Sequence, residues 1–277
     1  VIGCDAEVGV ERRLNEEETP DGRPGAAVLA FGFSADGLGK AIANRVGQCL
    51  MTAPTASVFD GMPDEPKRLP LGRRLRYFGD GFQKSKQIDG ARSWRVPVMD
   101  GEFWVADEIG FRPGIGGGNL IFQSRERSEG LAAARGVVEA IAPLVGTITP
   151  FPGGIARSGS KVGSRYPGLV ASTADAYCPT LRGRTASVLH AEAQCAYEVV
   201  IDGIDRASIK TAMRVGIETL ERFPLCLLYT SPSPRAGAFG WPLRSALPIG
   251  AAPRRRTPTS HRPPQRRSCS TRSPLDR

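Results

Sequence analysis

Residues 195–202 read Cys195-Ala196-Tyr197-Glu198-Val199-Val200-Ile201-Asp202, and Gly203-Ile204-Asp205-Arg206 follow. Branched and aromatic residues in a run of this length predict a strand. Asp205 is a favoured helix-capping residue ahead of a stretch with helical periodicity, so a helix is expected to open there. On the strand, side chains alternate between two faces. Cys195, Tyr197, Val199 and Ile201 share one face, and Ala196, Glu198, Val200 and Asp202 share the other. Glu198 is therefore an acid among small and apolar neighbours. Partial burial raises such a carboxyl's pKa and lets it hold a proton near neutrality, the state a general acid needs. The solvated outer face of an antiparallel strand gives the same pattern.

The same order of elements occurs upstream. Ala26-Ala27-Val28-Leu29-Ala30-Phe31-Gly32-Phe33 reads as a buried strand. A helix follows, opening near Ser34 or Asp36 and running to about Leu50. Asp36 and Arg45-Val46-Gly47 echo Asp205 and Arg214-Val215-Gly216, with an Asp-to-Gly separation of 11 in both. A strand, a cap and a helix in the same order argue for an internal duplication. Between the two copies, Leu75–Phe82, Trp94–Met99 and Phe103–Ala106 have strand composition. Met99-Asp100-Gly101-Glu102 reads as a hairpin turn, and an Ala-rich helix spans Ser128–Ile141, stopped by Pro143. Strands and helices mix without a parallel βαβ rhythm, which predicts α+β lobes built from split βαβ units.

The net charge of +9 is confined to one end. Residues 226–277 hold ten Arg and a single acid, whereas residues 1–225 balance 27 bases against 27 acids. That neutral body argues against a nucleic-acid-binding protein. The chain has no apolar run long enough to span a bilayer. Val1-Ile2 reads as a strand already under way, so an N-terminal segment is expected to be missing. From Ser231-Pro232-Ser233-Pro234-Arg235 onward the tail is rich in Pro, Arg and Ser, with little apolar periodicity. Such a composition cannot offset its ordering entropy, and the tail is expected to be disordered. Arg clusters would suit a phosphate-binding arm. However, Cys226–Arg235 resembles one reading-frame translation of a common sequencing adapter, and the tail is assigned no function. Three segments result: 1–101, 102–225 and 226–277.

Several chemistries fit the sequence poorly. The six cysteines show no C-x-x-C spacing, so no metal site is expected. His190 is the body's only histidine, which leaves little for a histidine-based triad or metal centre. Gly114-Ile115-Gly116-Gly117-Gly118-Asn119 lacks the third glycine of a dinucleotide fingerprint. It leads into an apolar strand at Leu120 rather than into a helix. Gly154-Ile155-Ala156-Arg157-Ser158-Gly159-Ser160-Lys161 reverses the order a Walker A loop requires. That second loop still offers amides, hydroxyls and two cations to an anion or a developing oxyanion. A tight turn between elements would look the same. Thr52-Ala53-Pro54-Thr55, Phe78-Gly79-Asp80-Gly81 and Ser172-Thr173-Ala174-Asp175-Ala176-Tyr177-Cys178-Pro179 add hydroxyls, acids and an aromatic, each ordinary by itself.

Taken together, seven segments resemble the formylmethanofuran–tetrahydromethanopterin formyltransferase family in order and spacing. They are Glu18–Gly25, Arg45–Cys49, Met51–Thr55, Tyr77–Gly81, Pro150–Ile155, Gly159–Ser164 and Asp175–Thr180. The likeness covers residues 1–225 and is closer to the forms of methylotrophic bacteria, as in Trp94–Phe103. It implies two related ferredoxin-like lobes, here incomplete at both ends, and a homo-oligomer, commonly a tetramer. The implied reaction moves a formyl group reversibly between formylmethanofuran and tetrahydromethanopterin, as in the cytoplasmic one-carbon chemistry of formaldehyde oxidation. Both carriers act as cosubstrates, without a prosthetic group. A related subunit works within a formyltransferase/hydrolase complex, which leaves a non-catalytic assembly subunit as the alternative. No nucleic-acid or membrane partner is expected. By the family's motif the proposed catalytic glutamate falls on Glu198. The candidate substrate contacts are Thr52, Thr55, Asp80, Gly117, Asn119, Gly153, Gly154, Ser158, Ser160, Lys161, Asp175 and Tyr177. A tetrahydropterin nitrogen is already nucleophilic, so direct attack in a ternary complex is the expected mechanism.

Overall fold

In the computed structural model, which describes residues 5–88, 90–225, 227–231 and 235–246, two lobes share one eleven-stranded sheet. The first lobe starts with strands β1 (Glu7–Leu14) and β2 (Gly25–Gly32), paired antiparallel. Helix α1 (Ala35–Arg45) follows, with its first turn capped by the Ser34 hydroxyl, which accepts the Gly37 N–H at 3.1 Å. A π turn over Val46–Leu50 extends it. Next come β3 (Ser57–Asp60), β4 (Arg68–Pro70), the short helix α2 (Gly72–Leu75), β5 (Lys84–Ile88), β6 (Ala91–Val98), β7 (Gly101–Ala106) and β8 (Glu108–Gly110). The expected hairpin is present: Val98 faces Gly101 across Met99-Asp100, with Gly101 at φ +133°. Leu38, Ala41, Ile42 and Val46 pack on Ala30, Val58, Phe103 and Val105 to form this lobe's core.

The second lobe runs β9 (Arg112–Ser124), α3 (Arg127–Ile141), β10 (Thr147–Ile148), then β11 (Ser160–Val162) and β12 (Ala171–Thr173) within a long excursion. It continues with β13 (Cys195–Gly203), α4 (Arg206–Leu220) and β14 (Leu227–Ser231). In space the strand order is β14-β9-β13-β10, every neighbour antiparallel. With α3 and α4 as crossovers, this is a pair of interlocked split βαβ units, the ferredoxin-like arrangement. The helices cover one face, where Val137 and Ile141 of α3 and Leu220 of α4 bury Leu120, Phe122, Val199 and Ile201. The excursion of residues 149–194 lies over the other face. Gln123 pins it by donating to Val188 O at 3.1 Å and accepting the His190 N–H at 2.7 Å. A small third cluster, Leu29 and Phe31 with Ile148, joins β2 to β10 and so one lobe to the other.

The last strand, β15 (Arg235–Ala246), pairs antiparallel with β2, β3 and β9. The first lobe therefore repeats the second lobe's order as β1-β2-β15-β3, with β15 from the far end of the chain filling the inner position between β2 and β3. The expected boundary at 101/102 falls at the start of β7, whose residues pair with β6 and β3. Among the described residues, no helix is long and apolar enough to cross a membrane.

Four expectations need correction. Leu75–Phe82 is not a strand: Leu75 ends α2, and Arg76–Gly79 forms a 3₁₀ turn. Left-handed conformations at Asp80 (φ +47°) and Gly81 (φ +90°) break any extended run there. Its aromatic residues are not inward-facing strand residues, because Tyr77, Phe78 and Phe82 are exposed. The glycine-rich run 114–119 is not a loop before a strand but the middle of β9 itself. Asp36 is not the counterpart of the Asp205 cap, since Ser34 caps α1 while Asp205 caps α4. Finally, the backbone of 227–231 and 235–246 does not form a disordered tail but runs as strands in the sheet. Strand β2, buried on both faces, leaves one side of its backbone needing partners there, which overrides local composition. The rest of the tail lies outside the described residues.

Candidate active site

Strand β13 turns Val199 and Ile201 to the helices and Glu198 and Asp202 to the opposite face, as alternation requires. Glu198 is only 8% exposed. Its backbone is clamped by Ala156, whose N–H reaches Glu198 O at 2.8 Å and whose carbonyl accepts the Glu198 N–H at 3.1 Å. Ala156 therefore acts as a one-residue strand on the side of β13 that β10 pairs farther along. On the opposite side, Asn119 of β9 donates its side-chain amide to Glu198 Oε1 at 2.8 Å. Asn119 Oδ1 is buried and accepts no hydrogen bond from the described residues.

A cleft of about 250 Å³ opens in front of Glu198, lined by Asn119, Arg157, Ser158, Ser160, Tyr177 and Cys178 among others. Gly159 leaves room before the carboxyl, because a Cβ there would lie 2.8 Å from Oε2. Among the described residues, Arg157 has no acid within ion-pair distance. Lys161, by contrast, is tied to Asp175 at 2.5 Å, across the hairpin of β11 and β12. That hydrogen bond holds the Asp175 carboxyl below its ordinary range. Burial, with the Glu7 carboxyl second, pushes Glu198 the other way. The site therefore has one acid pushed up by burial, one guanidinium without an ion-pair partner among the described residues, hydroxyls from Ser158 and Ser160, and an amide oxygen that accepts no hydrogen bond among the described residues. Such a set can donate a proton, stabilise a negative oxygen and orient a planar amide.

Of the residues singled out in the sequence, Glu198, Asn119, Ser158, Ser160 and Tyr177 line this one cleft. Lys161 and Asp175 brace its hairpin. Gly117 sits behind it and donates its N–H to Asp202 Oδ1 at 3.0 Å. Gly153 (φ +63°) and Gly154 (φ +75°) form the turn that brings Ala156 alongside β13, a conformation that favours glycine. Thr52, Thr55 and Asp80 belong to the first lobe and are not brought to Glu198. Thr52 bonds back to Gln48 O at 2.7 Å. Thr55, at φ +60°, lines a separate hollow of about 150 Å³ with Arg23, Asp100 and Glu102. Sequence reasoning quoted Arg157, Thr173, Cys178 and Asp202 within their segments but left them off the candidate contacts. The alternation that selected Glu198 already puts Asp202 on the same face.

Comparison with known proteins gives one answer along the chain. The family model described as formylmethanofuran-tetrahydromethanopterin formyltransferase matches residues 1–98, and that for its proximal lobe matches residues 101–231. The formylmethanofuran–tetrahydromethanopterin formyltransferase of Methylococcus capsulatus is 50% identical over 79% of this chain and 73% of its own length. The solved formyltransferase of Methanosarcina barkeri superposes with a TM-score of 0.74 at 40% identity, over 81% of this chain and 77% of that one. The formyltransferase/hydrolase complex of Methylorubrum extorquens, solved with methylofuran, gives a TM-score of 0.72 at 46% identity over 79% of this chain and 72% of that one. The chain belongs to the formylmethanofuran–tetrahydromethanopterin formyltransferase family.

Proposed function

We propose that this protein transfers a formyl group between formylmethanofuran and tetrahydromethanopterin, with Glu198 as the acid–base group. The observation that carries the assignment of Glu198 is a buried, amide-bonded carboxyl at the floor of an open cleft. A pterin nitrogen attacks the formyl carbon, the new C–N bond forms, and the carbonyl electrons move to oxygen. Arg157 and the loop hydroxyls stabilise that oxyanion. As the intermediate collapses, the bond to the methanofuran nitrogen breaks and this nitrogen takes the proton of Glu198. The resulting carboxylate takes the proton released by the pterin nitrogen, which closes the cycle. Asn119 Oδ1 accepts an amide N–H of the bound carrier. Because the pterin supplies the nucleophile, the protein's contribution is alignment, charge stabilisation and one proton.

The protein works on carrier-bound one-carbon units in the cytoplasm and assembles as a homo-oligomer. Like its relative in Methylorubrum extorquens, it also combines with hydrolase subunits. Replacing Glu198→Gln keeps an oxygen that accepts the Asn119 N–H and removes the acidic proton. Turnover should fall by about 100-fold or more while KM for either carrier changes little. Steady-state formyl transfer with near-normal kcat in this variant would remove Glu198 from the mechanism.

A further inference from the structure

Asp202 lies four residues beyond Glu198 on the same face of β13. Its side chain is fully buried, at 0% exposure. The two carboxyls stand about 13 Å apart along the strand, too far for contact. Their connection runs through β9. Ile201 faces Gly118, but Gly203 faces Ile115, so β9 carries one extra residue opposite Asp202. That residue count defines a β-bulge, made possible by Gly117 at φ +94°. The bulge turns the Gly117 N–H onto Asp202 Oδ1, at 3.0 Å. Two residues later on the same strand, Asn119 donates to Glu198 Oε1 at 2.8 Å. Gly118, between them, has Ile209 close against it, so that an added Cβ would lie 3.1 Å from Ile209 Cγ2. Any relaxation of the bulge therefore changes the position of Asn119.

We propose that Asp202 is a positioning residue for Glu198: by accepting the Gly117 N–H it fixes the bulge in β9 that presents the Asn119 amide to the Glu198 carboxyl. This rests on the reading of Glu198 as the proton donor. The surroundings explain how a buried acid is tolerated there. No partner meets hydrogen-bond geometry at Asp202 Oδ2. Glu7 of β1 lies close enough for its charge to disfavour the Asp202 carboxylate. Burial first, and Glu7 second, hold Asp202 well above the ordinary carboxylate range. Because a neutral acid accepts the Gly117 N–H as an amide oxygen would, Asn should serve in its place and Ala should not.

The other titratable groups around the Glu198 cleft are Glu7 on β1 and Arg157, Tyr177 and Cys178 from the excursion, with Lys161 committed to Asp175. The test compares Asp202→Ala, Asp202→Asn and Asn119→Ala in the full chain. It uses formyl-transfer kinetics and carboxyl-selective ¹³C titration of Glu198. Losing a donor to its carboxylate moves Glu198 further up. Asp202→Ala should lower kcat about 10-fold with KM nearly unchanged, and raise the Glu198 midpoint together with the alkaline limb of the pH–rate profile. Asp202→Asn should restore both. On an Asn119→Ala background, Asp202→Ala should add nothing further, because both act through one contact. Additive losses, or an unchanged Glu198 titration in folded Asp202→Ala, would overturn the proposal. If Glu198→Gln proved fully active while Asp202→Ala still shifted the Glu198 midpoint, the coupling would stand and the proton-donor role would fail.

Discussion

At Gly159 the smallest residue guards the reacting group. An added Cβ would sit 2.8 Å from Glu198 Oε2 and 3.7 Å from Ala174 Cβ. The loop around it is exposed, so the strand and helix core is untouched by that methyl. Gly159→Ala should therefore cut kcat about 10-fold or more while Tm stays within about 2 °C of the parent, a split that surface substitutions ordinarily do not produce. Parallel kinetics and thermal melts measure both quantities, and an active Gly159→Ala enzyme would place the substrate elsewhere. At this scale the sequence is legible where one element settles the geometry. Alternation along β13 alone puts Glu198 and Asp202 on one face. It is silent where the partner arrives from far away: Asn119 meets Glu198 across 79 residues, and Gly117 meets Asp202 across 85. Thr52, Thr55 and Asp80 have suitable chemistry, and only the fold shows that they stand at other surfaces.

At the scale of the element, β13 buries two acids whose carboxyls are both pushed up by burial and by Glu7. A folded-state pKa above the unfolded value makes a contribution that is complete below the unfolded pKa and is lost as pH rises through the folded one. Between about pH 4.5, the ordinary glutamate range, and the raised Glu198 value, native stability should fall as pH rises. Glu198→Gln removes that group's share. Its Tm should match the parent near pH 4.5 and exceed it by a few degrees at pH 8, whatever its loss of turnover. Calorimetry of both proteins at the two pH values provides the test. An offset that does not change with pH would mean that Glu198 does not titrate in this window. The elements themselves were legible wherever period and cap agree: β2, α3, β13 and α4 lie where their patterns predict. The misread pieces share a cause. In Leu75–Phe82 the aromatics face solvent, and in 114–119 glycines form the middle of a long strand. In both, side-chain content is a poor guide to backbone conformation.

At the scale of the molecule, the first lobe does not complete its own sheet. Strands β2 and β3 flank a position that β15 fills, pairing at seven residues of β2 and four of β3, and at five of β9 in the second lobe. Pro232, Pro234 and Pro242, with Gly237 and Gly240, make residues 227–246 a poor strand by composition, and Pro242 has no N–H to offer opposite Leu29. Position overrides this, because without β15 three strands would each lose one side of their pairing. At about 0.5–1.5 kcal/mol net per backbone hydrogen bond, losing some ten of them costs on the order of 10 kcal/mol, comparable to the whole stability of a domain. Two truncations separate the contribution of β15 from that of residues 247–277. A chain ending at Ala246 keeps every strand pairing of the described residues and should melt within about 2 °C of the full chain. A chain ending at Ser231 retains the second lobe's order β14-β9-β13-β10 but opens the first between β2 and β3. It should melt at least about 10 °C lower, in a transition that no longer links the lobes, or precipitate through the bared strand edges. Equal melting of the two truncations would mean that β15 carries no share of the fold. The lobes would then be held together by contacts such as the Leu29–Phe31–Ile148 junction and the Gly146 N–H donated to Glu11.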